Sequence, residues 1–237
     1  MSATFTRITA PPGNSATAGS APPSARLAWS TLVDAFEAAC LLRCASAPAL
    51  SPVMQYGQRP THRAFTGPRP MVEFSQPSAA HRMRHLLAGL DIPVEEETVT
   101  AGLRRRYTVH RLGVPQAAQA EYAATIDLAW RQGRSALLSP VTAGTSTVRH
   151  LWRPRLAAAA WSAVLLAAGR HVRKHILGVR VTDQDLAGVL VRSAHLLGAT
   201  ASLDRRSGCF LVSVPAGADK RRIMQGTEFR SALASAS

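Results

Sequence analysis

The sequence predicts an α+β protein made of two pseudo-symmetric units, each a helix, a hairpin, a helix and a second hairpin. Three observations lead there. The chain of 237 residues is 46% hydrophobic, enough to build a sizeable core. Apolar residues recur at helical spacing in some segments and alternate in others. The order of those segments also repeats. At a displacement of 107, Val72 falls on Val179, Phe74 on Val181, Met83 on Leu190 and Leu90 on Leu197. A turn shortened by four then sets Tyr107 on Phe210 and Val109 on Val212, which reads as an internal duplication.

Residues 1–29 combine Pro11, Pro12, Gly13, Pro22 and Pro23 with Ser, Thr and Ala, too little hydrophobicity to offset ordering entropy, so a disordered arm is expected. The arm has no compact apolar run of the kind a secretory signal requires. Ser30 is the expected N-cap of a helix over 31–45, with Leu32, Phe36, Cys40 and Leu41 at helical spacing. Strands are expected near 53–56 and over 71–74. Ser78 should cap a helix to Leu90, and 95–100 with 104–112 should form a hairpin turning at Ala101 and Gly102. A helix over 117–130 closes the first unit (30–130). Gly133, Pro140, Gly144 and a Ser/Thr run give 131–152 the composition of a linker. In the second unit (153–228), Pro154 opens a helix to Gly169, 176–182 is a strand, and Asp183 or Asp185 caps a helix to Leu197. A hairpin of 199–204 and 209–214 turns around Arg206, Ser207 and Gly208. Residues 229–237 are expected to be a disordered tail.

Charge bounds the partners. Net charge is +14, nearly all from Arg, with Lys174 and Lys220 the two lysines. That sign favours polyanions, nucleic acid first. From Arg131 to Arg180 there are nine basic residues and no acid, a surface expected to face phosphate. Strand alternation adds Arg106, Thr108 and His110 on the exposed side of the first hairpin, with Tyr107 and Val109 turned to the helices, and Arg180 and Thr182 on the exposed side of the second unit. Glu97 is expected opposite Arg106, partly cancelling the first set. The resulting DNA-contact candidates are Arg106, His110, Arg153, Arg155, Arg170, Arg173, Lys174 and Arg180.

Other chemistries find little support. His81 with His85 and His171 with His175 stand at helical i, i+4 spacing but have no acidic or thiol third ligand beside them. Cys40, Cys44 and Cys209 are an odd set without framework spacing, read as core residues of a protein in a reducing, cytoplasmic compartment. No phosphate-cradling glycine loop and no nucleophile elbow occur. No cofactor, metal, small-molecule ligand or membrane is expected.

The repeated order, with a closing helix, resembles the two-repeat LAGLIDADG homing endonuclease fold. Residues 156–222 are similar, more narrowly, to the degenerate LAGLIDADG domain of the WhiA sporulation regulators. Ala163 to Gly169 stand at the small, apolar end of the first helix, His195 to Ala199 at the end of the second, and Arg205, Arg206 and Gly208 at the basic hairpin. The first half resembles it again through His85 to Val94 and Arg104 to Val109. Leu87 to Asp91 spell part of the endonuclease motif, but at the end of the wrong helix. In active members of the fold each motif helix ends in a carboxylate that holds a divalent metal. Here the corresponding ends read Leu42, Arg43, Cys44, Ala45 and Ala168, Gly169, Arg170, His171, so the resemblance implies a non-enzymatic scaffold. The regulators also carry a C-terminal helix-turn-helix domain, for which the residues after the second hairpin are too few. The expectation is therefore a DNA-associated, transcription-regulatory scaffold whose sequence reader is supplied by a protein partner. The alternative is a protein-interaction scaffold whose basicity is compositional.

Overall fold

The computed structural model describes residues 26–45, 71–102, 106–140, 147–168, 171–173 and 176–235. Residues 1–25 of the arm expected over 1–29, and the expected strand at 53–56, lie outside these residues.

Two helices form the centre. α1 (Trp29–Ala45) is buried on nearly every side, from Leu32 through Cys44, as a helix apolar all round should be. Its partner α4 (Thr147–Ala167) buries Leu156 through Leu165, and the pair forms the largest interface between elements. Small residues on both, among them Ala35, Ala38 and Ala39 on α1 and Ala159, Ala160 and Ala163 on α4, allow close approach. Trp161 at the centre is fully buried and donates its indole N–H to the Leu190 carbonyl at 3.2 Å. Among the described residues no helix is long and apolar enough to cross a membrane.

Around this pair the expected order appears: β1 (Met71–Phe74), α2 (Pro77–Ala88), β2 (Glu95–Ala101), β3 (Tyr107–Gly113), a short 3-10 turn and α3 (Gln119–Leu138). After α4 come β4 (His171–Arg173), β5 (Ile176–Val181), α5 (Gln184–Leu196), β6 (Ser202–Arg206), β7 (Cys209–Pro215) and α6 (Ala218–Ser235). The strands make two antiparallel sheets, ordered β1-β3-β2 and β4-β5-β7-β6. The architecture is α+β with two units of like order, each sheet packed against helices on one face.

Several boundaries differ from expectation, each for a local reason. α1 starts at Trp29, so Ser30 lies in its first turn and is not a cap. α2 starts at Pro77, whose missing N–H costs nothing at the first helical position; Gln76 is the N-cap and Ser78 is inside. Asp183 is the cap of α5, accepting from the Leu186 N–H at 3.0 Å. The expected linker 131–152 is largely helical. α3 runs on through Gly133 to Leu138, and α4 begins at Thr147 with Pro154 inside it. Gly133 is a packing residue, since a Cβ there would meet the Phe36 ring. The turns before Pro154 are held by tertiary contacts: Trp152 stacks on Trp29 at 6.4 Å between centroids, and Arg153 is anchored to the end of α3. The expected disordered tail is also corrected, because α6 continues to Ser235. β4 has no counterpart in the expectation, because three residues in a basic stretch carry no readable alternation.

Candidate nucleic-acid interface

Strand alternation gives each sheet a helix-facing side and an outer side. In the second sheet Leu177, Val179 and Val181 of β5 and Val212 and Val214 of β7 enter the core. Ile176, Gly178 and Arg180 therefore point outward. Arg180 is exposed and its cross-strand neighbour is Leu211, with Asp204 beyond it on β6. Arg206 shares the outer side and sits 3.6 Å from Asp204. Arg173 pairs in register with Ile176 at the opposite edge. Gly208, at φ +74°, makes the tight turn between β6 and β7 that a side chain would strain.

The first sheet differs from the expectation in register and in face. Ala101 pairs with Tyr107 and Glu97 with Arg111, so Glu97 is not opposite Arg106. Val72 lies across from Leu112 and Phe74 from His110, as Val179 lies across from Val212 and Val181 from Phe210. The equivalents are thus His110 with Phe210 and Leu112 with Val212. From the first paired strand to the second, the second unit is shorter by seven residues in all, not by four, and an odd error of three reverses the faces. His110 belongs to the helix side, 3.8 Å from Glu96, which Arg84 of α2 also binds at 3.1 Å. Tyr107 is 54% exposed on the outer side, and Arg106 is an exposed loop residue. The outer side of this sheet carries Glu73, Glu95 and Glu97 around Arg111, whose Nε binds Glu73 at 2.7 Å. Among the described residues, one outer face is therefore acidic where the other is basic.

Much of the basic run is engaged internally. Arg131 pairs with Asp127 at 3.0 Å and Arg134 with Asp185 at 3.0 Å, the latter joining α3 to α5. Arg153 is corrected most sharply. It is 1% exposed and caps α3, donating to the carbonyls of Leu137 at 2.8 Å and Ser139 at 2.9 Å. Arg155 is exposed but lies over the Trp152 ring at 4.6 Å, on the helix side. Arg170 and Lys174 lie outside the described residues, and of Arg173 only the backbone position is described. His81 and His85 are exposed on α2, where His81 Nδ1 lies 3.2 Å from Arg84.

The end of α1, where the resemblance places a metal-holding acid, carries Arg43. Its guanidinium bonds to the Asp183 carboxylate and lies 3.9 Å over the Trp130 ring. Asp183 is thereby bound twice, by Arg43 and by the α5 N-terminus. Sequence reasoning named Arg43 but missed Trp130 and Asp183 as its partners, because their meeting joins three elements distant in the chain. A cavity of about 570 Å³ opens beside Arg43, lined also by Leu42, Tyr122 and Ile126. Burial pushes the Tyr122 hydroxyl up to about 12, and burial with the Asp183 charge pushes the Cys44 thiol up to about 12. Because these folded values exceed those of the unfolded chain, both groups favour folding at neutral pH, and that contribution is lost as pH rises from about 9 toward 12. The melting temperature should fall across this window, and a Cys44→Ser/Tyr122→Phe variant should show a shallower fall; equal slopes would contradict the assignment.

No protein-family model matches the chain, and no curated protein does. Solved structures do. The N-terminal LAGLIDADG domain of DUF199/WhiA is similar at 11% identity over 84% of this chain and 89% of that one, with a TM-score of 0.49. Full-length DUF199/WhiA from Thermatoga maritima is similar at 10% identity over 86% of this chain, with a TM-score of 0.49, and this chain spans 62% of its length. The homing endonuclease I-DmoI in complex with DNA and Mn is similar at 15% identity over 81% of this chain and 94% of that one, with a TM-score of 0.46. Each is a likeness of arrangement at low identity.

Proposed function

We propose that the chain is a non-catalytic, cytoplasmic, DNA-associated scaffold of transcriptional control, contacting phosphate through the outer side of its second sheet. The observation that carries this reading is the asymmetry of the two outer faces. Arg180 and Arg206 stand on one, with a single carboxylate, Asp204, among the described residues of β5, β6 and β7 there. The other presents Glu73, Glu95 and Glu97 around Arg111, a net negative set among the described residues that disfavours phosphate. Engagement of Arg43 by Asp183 supports the non-catalytic part, because a guanidinium at that helix end disfavours a divalent cation. Recognition of a sequence falls to a protein partner.

The test is fluorescence anisotropy with a labelled random-sequence duplex in magnesium, titrated across salt. Binding should weaken steeply with salt and leave the duplex intact. Arg180→Ala with Arg206→Ala should weaken it uniformly across sequences and lower the salt slope by about one for each phosphate no longer neutralised. Absence of binding at low salt, or an unchanged slope in the variant, would sink the reading. A second reading, a protein-interaction scaffold, is favoured by one observation: a groove of about 960 Å³ on the helix side, lined by Val33, Leu86, Leu151, Trp152 and Leu197, with Leu151 68% exposed.

A further inference from the structure

Three arginines meet where α3 ends, α4 begins and α5 passes. Arg153 and Arg192 both donate to the Leu137 carbonyl, at 2.8 and 3.4 Å, so two guanidiniums converge on one oxygen. Arg149 stands one turn before Arg153 on α4, half-buried like Arg192. Burial first, then the charges of Arg192 and Arg149, hold the Arg153 guanidinium below the usual arginine range. Its Nε and Nη1 are buried and meet no hydrogen-bond partner among the described residues.

Among the described residues no carboxylate neutralises this group. None of the ion pairs among the described residues reaches Arg149, Arg153 or Arg192. The segments outside the described residues contain no Asp or Glu at all, so they cannot supply one. Glu228, on α6, is the one acid whose side chain is not described. Three like charges held together without a counter-charge are unfavourable to the fold unless an anion from solution completes them.

We propose that Arg149 and Arg192, backed by the buried Arg153, form a site for a doubly charged phosphate group, the class carried by phosphate monoesters and pyrophosphate. Planar guanidinium forks suit the several oxygens of such a group, and the charge balance favours a dianion over the single charge of a diester. The site lies on the helix side, since α5 covers the inner face of β5 and β7. It is therefore separate from Arg180 and Arg206 and stands whether or not the outer face binds DNA.

The experiment is thermal unfolding of the full chain at low salt with sodium pyrophosphate, against sodium chloride at matched ionic strength. Pyrophosphate should raise the melting temperature by several degrees and chloride should not, because a ligand bound only by the folded state stabilises it. Arg149→Gln/Arg192→Gln should abolish the rise, and Arg180→Ala should keep it. Arg149→Gln alone, without pyrophosphate, should melt above the wild type, because one member of a like-charge cluster is gone. A rise retained in the double variant, an equal rise with chloride, or a lower melting temperature for Arg149→Gln would overturn the proposal. Displacement of pyrophosphate by a short duplex, followed by calorimetry, would overturn the assignment to small phosphates and give the cluster to nucleic acid.

Discussion

Arg82→Ala is expected to destabilise the fold by about 3–5 kcal/mol, the largest single effect anticipated, because it strips a bidentate partner from a buried charge. Glu37 is 0% exposed in the middle of α1. Arg82 of α2 holds both its oxygens, Nε to Oε1 at 2.8 Å and Nη2 to Oε2 at 2.9 Å. The carboxylate keeps the Arg82 guanidinium firmly charged, raising it above its ordinary value through that bond. Arg82→Lys retains the charge and loses the fork, so it should fall between wild type and alanine. Glu37→Met with Arg82→Met removes both charges and should recover most of the loss, as apolar replacement of a buried pair commonly does. Urea unfolding of the four proteins decides it. A loss below about 1 kcal/mol for Arg82→Ala would mean that Glu37 is solvated in the folded chain.

Gly133→Ala should also destabilise, against what helix propensity predicts. In an exposed helix the change would stabilise by about 1 kcal/mol. Here an added Cβ would stand 2.6 Å from Cγ and Cε2 of Phe36. That ring is fully buried and stacked on Trp130 with centroids 5.8 Å apart, so it has nowhere to move. Overpacking of this kind costs about 1–3 kcal/mol, sometimes more, and should outweigh the propensity gain. Phe36→Leu/Gly133→Ala should be more stable than Gly133→Ala alone, since the smaller side chain makes room. Stabilisation by Gly133→Ala, read from the unfolding midpoint, would show that α1 and α3 are not packed this closely.

The same glycine shows why part of the fold was illegible. Helical spacing reports which face of a segment is apolar and placed α2 and α5, as strand and turn signals placed both hairpins, without knowledge of their neighbours. A glycine in sequence reads as a break, whereas its use at Gly133 depends on Phe36, nearly one hundred residues earlier in the chain. Pro154 misled in the same way, because the turns before it are held by Trp29 and the end of α3. The hairpin register failed for a related reason. Alternation fixes which residues of a strand share a face, but the loop length sets which strand positions meet. The five residues from Gly102 to Arg106 carry no signal of how many belong to the loop.

The candidate site divides along the same line. Composition alone determined that the chain is basic and that its acids are few. Strand alternation determined that Arg180 faces outward. The tertiary structure decided which charges are left over: it drew Arg153 inside to cap α3, set Arg134 against Asp185 and Arg43 against Asp183, and gathered Glu73, Glu95 and Glu97 on one outer face. Charge is a property of residues and adds along the chain. Its neutralisation falls off within a few ångströms, so it depends on which elements pack together, and that is settled only when the two units close around α1 and α4.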